Sequence, residues 1–322
     1  MKKIIALIII LASAVDSFCQ NSEQHFIKGQ ELFDSKDYYG AIESYSKAID
    51  LTLFESDDQS KKKYLEQPEL KGQIANYFLR RGHAKYKIQD YEGAEKDFWN
   101  VTMILPDFSE GHFQKGKAYY ALGIFELAKY SFDECIKIDS NDAEAYFRRG
   151  ISNYELGNFN VAIEDYTKAL EINCCPAEAY YQRGMAKGRL GNIPQANEDQ
   201  TMAIKMNPNY AWAYQERGLG KIQLKDYGGA MQDFNISLSI ESNARTYRSR
   251  GLLKTLLNDL RGSIADCSES IKLDPYFPAA YMTRGMAKIQ LKQIEEGCLD
   301  LSKAGELGMT DAYLEIKRFC NK

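Results

Sequence analysis

The stretch AEAYFRRGISNYELGNFNVAIEDYTKALEIN, residues 143–173, decides the fold. Its aromatic and small residues recur at helical spacing, and Gly157 with Asn158 interrupts them before a second amphipathic run begins at Val161. The stretch therefore predicts two helices joined by a short turn.

This pattern recurs along the chain at a nearly constant distance. The equivalents of Gly150 follow one another every 34 residues from Gly82 to Gly218, and then after 33 and 34 residues. A period in this range indicates stacked helical hairpins, because one hairpin alone cannot bury its apolar face. The equivalent glycines are Gly29, Gly82, Gly116, Gly150, Gly184, Gly218, Gly251 and Gly285.

The repeats resemble the tetratricopeptide repeat family. When the recurrent glycine is numbered position eight, the family has an aromatic residue at positions four and twenty-four and a small residue at positions twenty and twenty-seven. Tyr146, Gly150, Ala162, Tyr166 and Ala169 match this pattern. The resemblance implies an all-α fold, a right-handed α-solenoid of stacked helix-turn-helix hairpins.

The resemblance divides the chain into eight repeats between residues 22 and 311. An insertion at 56–74 separates the first two repeats; we interpret it as polar helix extensions plus a surface loop, with a partner-specific contact as the alternative. Residues 312–322 are expected to form a C-terminal cap helix. The predicted repeats are 22–55, 75–108, 109–142, 143–176, 177–210, 211–243, 244–277 and 278–311.

Residues 1–19 have the features of a bacterial-type signal peptide. Lys2 and Lys3 precede the apolar run 4–12, which is shorter than the about 20 residues that a membrane-spanning helix needs. We expect cleavage after Cys19, with a lipid anchor at Cys19 as the alternative. The sequence thus predicts an exported protein, periplasmic or secreted, without a transmembrane span in the mature chain.

The composition favours protein contacts over nucleic-acid binding or catalysis. The 322 residues carry 41 Lys and Arg against 45 Asp and Glu, so the basic field that attracts nucleic acid is missing. His25, His83 and His112 lie in different repeats, outside any metal-binding or catalytic motif. We therefore expect no enzymatic activity, no metal, no cofactor, no small-molecule substrate and no nucleic-acid partner.

Positions seven and twenty-three vary together. Position twenty-three is Asp wherever position seven is Arg, and it is Ser in the two repeats that have Lys28 or Lys115 at position seven. Because the second helix runs back along the first, these positions should face each other, which predicts a structural ion pair in six repeats. The predicted pairs are Arg81–Asp97, Arg149–Asp165, Arg183–Asp199, Arg217–Asp233, Arg250–Asp266 and Arg284–Asp300.

The resemblance implies that the first helices line a concave groove, with positions five, six and twelve pointing into it. The first half of this groove would carry aromatic rings with Arg among them, the composition of binding hot spots. The alternative for any single ring is packing in the core. The predicted groove residues are Phe26, Phe33, Arg80, Tyr86, Phe113, Tyr120, Phe147, Arg148, Tyr154 and Tyr181.

These features predict a non-catalytic scaffold that binds a peptide or protein segment in the groove. The Lys and Asn side chains with which the family clamps a partner's C-terminal carboxylate are absent from the corresponding positions. The alternative function is a cell-envelope assembly or glycan-associated factor that docks through its outer faces.

Six cysteines remain after removal of the signal peptide. Cys298 and Cys320 lie on the last repeat helix and the cap helix, which should pack antiparallel, so either a disulfide or two free thiols is compatible with the sequence. Cys135 and Cys267 occupy positions that the family buries, which favours free thiols in the core.

Overall fold

The computed structural model describes residues 21–53, 68–173 and 175–320, and within them all regular secondary structure is α-helical. The predicted signal peptide, residues 56–67 of the predicted insertion, and Cys174 lie outside the described residues. The described chain divides into two compact units, Met1–Ile172 and Asn173–Lys322.

Unit 1 contains eight described helices. They are α1 (21–34), α2 (Tyr38–Leu53), α3 (Pro68–Lys87), α4 (Tyr91–Ile104), α5 (Ser109–Ala121), α6 (Phe125–Ile138), α7 (Ala143–Glu155) and α8 (Phe159–Glu171). Residues 68–74 of the predicted insertion form the first turns of α3, so this part of the insertion extends a repeat helix.

Unit 2 contains nine described helices. They are α9 (Pro176–Arg189), α10 (Ile193–Met206), α11 (Ala211–Gln223), α12 (Tyr227–Ile240), α13 (Ala244–Leu256), α14 (Leu260–Leu273), α15 (Pro278–Gln290), α16 (Ile294–Glu306) and α17 (Asp311–Phe319). None of the helices among the described residues is both long and apolar enough to cross a membrane.

Local sequence explains where each hairpin turns. The turn between α7 and α8 contains Gly157 at a φ of 78°, a left-handed conformation that glycine adopts without steric cost. In other turns an aspartate caps the second helix; Asp90, for example, accepts a hydrogen bond of 3.0 Å from the backbone N–H of Gly93. These signals place a helix boundary at a fixed point in each repeat.

The recurrent glycine lets the two helices of a hairpin approach closely. A Cβ atom at Gly218 would lie 2.7 Å from Cε1 of Phe234, and one at Gly116 would lie 2.8 Å from Cε1 of Phe132. Both rings are buried. In these repeats position eight is glycine because the aromatic ring at position twenty-four occupies the space of a side chain.

Stacking of the hairpins gives each unit an inner face formed by its first helices. In unit 1, α5 contacts α7; in unit 2, α9 contacts α11, α11 contacts α13, and α13 contacts α15. Pairs of second helices in the described chain make no contacts of comparable extent. The predicted class, an all-α solenoid of helix-turn-helix hairpins, is confirmed.

Unit 2 ends in a covalently closed cap. Helix α17 packs on α16 and buries Ala312. A disulfide joins Cys298 on α16 to Cys320, whose Cα atoms are 5.9 Å apart. Cys135 and Cys267 are buried free thiols.

Candidate functional site

The six predicted ion pairs are internal to their hairpins. Each arginine donates to the aspartate of its own repeat through Nη2, and the aspartates are almost completely buried. The Nη2···Oδ1 distances are 2.7 Å for Arg81–Asp97, 2.6 Å for Arg149–Asp165, 2.8 Å for Arg183–Asp199, and 2.7 Å for Arg217–Asp233, Arg250–Asp266 and Arg284–Asp300. These arginines hold the scaffold together and are not available to a partner.

A lysine that the sequence analysis overlooked completes five of these networks. Lys221 at position eleven lies 2.8 Å from the second carboxylate oxygen of Asp233, and four other repeats repeat the arrangement. In the fourth repeat Asn153 takes this place and donates to Asp165 at 3.0 Å. The signal was present in the sequence, because Lys at position eleven occurs only in repeats that have Arg at position seven.

The arginines also join neighbouring hairpins. Nη1 of Arg149 lies 2.6 Å from Oδ1 of Asp133 in the preceding repeat, and Nη1 of Arg217 donates to the hydroxyl of Thr201 at 3.1 Å. One guanidinium group thus fixes both the geometry of its own hairpin and the stacking on the previous one.

Two of the predicted groove rings belong to the core, so their assignment to the groove was wrong. Phe26 is 6% exposed and packs against the rings of Tyr45 and Tyr77. Phe147 is 4% exposed, and its ring centroid lies 5.8 Å from that of Tyr166. The physical reason is that position five faces the buried ring at position twenty-four of the second helix.

The rings at position twelve lie at the turns of their hairpins and remain partly exposed. Each makes a tilted or edge contact with an aromatic residue at the start of the second helix. The centroid distances are 5.3 Å for Phe33–Tyr38, 5.0 Å for Tyr86–Tyr91, 5.4 Å for Tyr120–Phe125 and 5.3 Å for Tyr154–Phe159. These four rings form a repeating row along unit 1.

Tyr181 lies in unit 2 and is not a member of this row. Its ring is half-buried and packs against Tyr210 with centroids 5.0 Å apart. The structure thus assigns the aromatic row of the inner face to unit 1 alone.

The most informative side chain of the inner face is Lys117, which the sequence analysis did not single out. Its ammonium nitrogen lies 5.4 Å from the ring centroid of Tyr86 and 5.7 Å from that of Phe113, so it bridges α3 and α5. No carboxylate of the described residues pairs with it. Burial lowers the pKa of Lys117, and the positive charge of Arg148 lowers it further.

Charges of both signs surround Lys117: Arg148 and Lys87 lower its pKa, and Glu110 and Glu144 raise it. Arg148 is paired with Glu144 at 2.8 Å, and Gln114 donates to Glu110 at 2.6 Å. Arg80 is exposed on α3. Burial lowers the pKa of His83 to about 4, and the nearby positive charges of Arg80 and Lys117 contribute to this shift.

We call Tyr86, Phe113, Lys117, Tyr120 and Arg148 the Lys117 site. Burial raises the pKa of the hydroxyl groups of Tyr86 and Tyr120, and the charge of Arg148 acts on both. The site therefore combines a desolvated ammonium group with tyrosine hydroxyls and apolar ring surfaces. This combination can bind a carboxylate that is flanked by an apolar side chain.

Comparison with known proteins identifies the repeats. Residues 109–142, 143–174 and 177–210 match models described as tetratricopeptide repeat. No curated protein matches the chain. Solved tetratricopeptide repeat structures share its fold. One from Parabacteroides merdae superimposes with a TM-score of 0.62 at 17% identity, covering 83% of this chain and 99% of its own.

Two further solved structures resemble this chain. The C-terminal part of a tetratricopeptide repeat-containing protein from Cytophaga hutchinsonii has a TM-score of 0.58 at 19% identity, covering 80% of this chain and 98% of its own. The MamA protein has a TM-score of 0.50 at 26% identity, covering 53% of this chain and 93% of its own.

Proposed function

We propose that this chain, a tetratricopeptide repeat protein, is a non-catalytic scaffold whose Lys117 site binds an acidic segment of a partner protein. The observation that carries the proposal is the position of Lys117. Its half-buried ammonium group lies against two aromatic rings, and no carboxylate in the described part of the chain is paired with it. Such a group is incompletely compensated in the free protein, and a partner's carboxylate would compensate it.

The aromatic rings of the Lys117 site determine which residues should flank the acidic residue of the partner segment. The rings of Tyr86 and Phe113 flank the ammonium group, and the row of position-twelve rings continues to Tyr154. An Asp or Glu next to an aromatic or aliphatic residue would place its charge on Lys117 and its apolar neighbour on these rings. Partly buried tyrosines and charged residues of this kind are typical of binding hot spots.

A peptide-display selection on the full-length protein tests this proposal. Peptides selected by the wild type are expected to be enriched in Asp or Glu beside an apolar residue. Lys117→Met should lose the acidic enrichment, because it removes the charge and keeps most of the side-chain volume. Lys96→Met is the matched control, since Lys96 is an exposed lysine on α4, a second helix of the same unit.

Three outcomes would overturn the proposal. The first is a selection by the wild type without acidic enrichment. The second is an unchanged selection by Lys117→Met when circular dichroism shows that this variant keeps its helical content. The third is an equal loss of acidic enrichment in Lys117→Met and Lys96→Met, which would assign the effect to net charge.

Exposed apolar residues on the second helices of unit 1 favour a second candidate function, docking through the outer face. Trp99 and Met103 on α4 are 47% and 60% exposed, and Leu127 and Tyr130 on α6 are 44% and 56% exposed. A large exposed apolar patch marks a protein-interaction surface, and these four side chains would contribute to one. Replacement of Trp99 and Tyr130 by Ser should abolish partner binding under this alternative and should leave binding at the Lys117 site intact.

We also propose that the protein acts outside the cytoplasm after removal of residues 1–19. The basic start and short apolar run of the N-terminal sequence support this proposal. Intact-mass measurement of the protein recovered from an exporting host should give a chain that starts at Gln20. A chain that keeps residues 1–19 would contradict cleavage, and a mass increased by acyl chains on Cys19 would support the lipid anchor.

A further inference from the structure

Unit 2 contains a cavity of about 350 Å³ on its inner face, and this volume lies at the lower end of the range for small-ligand pockets. Helices α9, α10 and α11 form its walls, and Arg245 of α13 contributes to the rim. The cavity belongs to unit 2 alone and shares no residue with the Lys117 site.

Two departures from the repeat pattern open this cavity. In the fifth repeat, position twelve is Gly188, whereas the first four repeats have an aromatic residue there. Position twenty-four of the same repeat is Gln200, whereas six of the eight repeats have an aromatic or leucine side chain there. A Cβ atom at Gly188 would meet only Cβ of Ala196, at 4.0 Å, so the place of the missing ring is open space. The fifth repeat thus lacks both of the rings that the fourth repeat has at these positions, Tyr154 and Tyr166.

Two hydrogen-bond acceptors line the cavity, the amide oxygen of Gln200 and the carboxylate of Glu216. Gln200 is 2% exposed; its Nε2 donates to the carbonyl oxygen of Tyr181 at 3.2 Å, but its Oε1 has no hydrogen-bond partner. Glu216 lines the cavity, and no cation of the described residues lies within ion-pair distance of its carboxylate. A buried acceptor without a partner destabilises the free protein, so a donor that enters here is favoured.

Neither of the two arginines that line the cavity forms an ion pair with Glu216 in the described part of unit 2. Arg189 and Arg245 act on the carboxylate from a distance, and burial raises the pKa of Glu216 in spite of them. The guanidinium group of Arg245 instead lies over the ring of Trp212, 6.0 Å from its centroid. The carboxylate therefore keeps the capacity to bind a cation inside the cavity.

We propose that this cavity binds the side chain of a lysine from a partner protein. Met185, Ile193 and Leu219 line the cavity and can enclose an aliphatic stem. The ammonium group at the end of that stem has three donors, enough to serve both Glu216 and Oε1 of Gln200. A lysine side chain satisfies the apolar wall and the two acceptors together.

Methyl NMR of the full-length protein with 13C-labelled methionine methyl groups tests the proposal, because Met185 lines the cavity. The probe is Nα-acetyl-lysine N-methylamide, and its neutral counterpart is Nα-acetyl-norleucine N-methylamide. The lysine probe should shift the Met185 signal saturably, and the norleucine probe should require at least a tenfold higher concentration for the same shift.

Three variants make the test specific. Glu216→Gln keeps the size of the side chain and removes its charge, and it should weaken binding of the lysine probe at least tenfold. Gly188→Phe restores a ring at position twelve and should abolish binding by filling the cavity. Lys117→Met should leave this binding unchanged, so the cavity and the Lys117 site are tested independently.

Other results would overturn the proposal. Equal binding of the lysine and norleucine probes would show that the cavity is only an apolar pocket. Tighter binding of Nα-acetyl-glutamate N-methylamide would assign the site to an anion held by the two arginines. Unchanged binding in Glu216→Gln would remove the carboxylate from the site.

Discussion

Asp233 provides a sharp test of the account of the scaffold. Its carboxylate is buried and accepts from Nε and Nη2 of Arg217 at 2.9 and 2.7 Å, while Lys221 lies 2.8 Å away. Asp233→Leu would leave two cations, with side chains only 17% and 23% exposed, without their shared partner. Removal of one member of a buried ion pair costs about 3–5 kcal/mol, and the partial exposure of the two cations favours the lower end.

The expected cost is therefore about 3 kcal/mol. The assay is native-state hydrogen exchange of the amides in α11 and α12, because repeat arrays unfold in segments and a single melting curve does not report on one hairpin. The triple variant Arg217→Met, Lys221→Met, Asp233→Leu should cost less than Asp233→Leu alone, since it leaves no unpaired charge.

Glu43→Gln is the control for charge removal as such. Glu43 pairs with Lys47 at 2.7 Å on the surface of α2, where both side chains are exposed, and the change should leave the stability unchanged. A cost below about 1 kcal/mol for Asp233→Leu, or a triple variant less stable than the single one, would refute the reasoning.

Three further predictions concern packing, the C-terminal cap and pH. Gly218→Ala should lower the free energy of unfolding by about 1–3 kcal/mol, because its Cβ atom would lie 2.7 Å from the ring of Phe234. Gly228→Ala is the control and should not lower it, since a Cβ atom there would have no other atom within 4 Å. Equal effects of the two changes in urea unfolding would contradict the packing argument. The disulfide links Cys298 to Cys320, 22 residues later, and its reduction should destabilise the C-terminal cap by about 3 kcal/mol. Amide hydrogen exchange in residues 294–320 should therefore become faster in dithiothreitol. Unchanged exchange rates would contradict this prediction. Burial lowers the pKa of His83 to about 4, below its value of about 6.5 in the unfolded chain, so the unfolded chain takes up a proton first as the pH falls. The stability present above pH about 6.5 should therefore decrease by up to about 3 kcal/mol towards pH 4, and His83→Gln should remove this dependence; equal pH profiles of the two proteins would contradict it.

The sequence predicted those features that depend on one repeat at a time. The spacing of Gly150 and its equivalents predicted the hairpins, because the close approach of two helices demands a residue without a side chain at that point. The joint variation of positions seven and twenty-three predicted pairs such as Arg149–Asp165, because the two positions face each other in any antiparallel hairpin.

The features that were missed depend on how helices tilt and stack. A helical stripe indicates which side of a helix is apolar, but packing against the second helix decides whether a residue at its edge is buried, as Phe147 is against Tyr166. The contact that makes Lys117 a candidate binding residue is with Tyr86 on the neighbouring first helix, and a single repeat does not predict it. The cavity of unit 2 likewise requires that Gly188 and Gln200, twelve residues apart in sequence, open the same space.

Site-specific photo-crosslinking tests the central claim, recognition of an acidic segment at the Lys117 site, most directly. The full-length protein carries a photoreactive phenylalanine analogue in place of Tyr120, which lies at the site, and is irradiated in an extract of its native cells. Mass spectrometry of the crosslinked peptides should find a partner segment that contains Asp or Glu beside an apolar residue, and Lys117→Met should eliminate this crosslink. The same crosslink in Lys117→Met, or a crosslinked segment without an acidic residue, would contradict the claim.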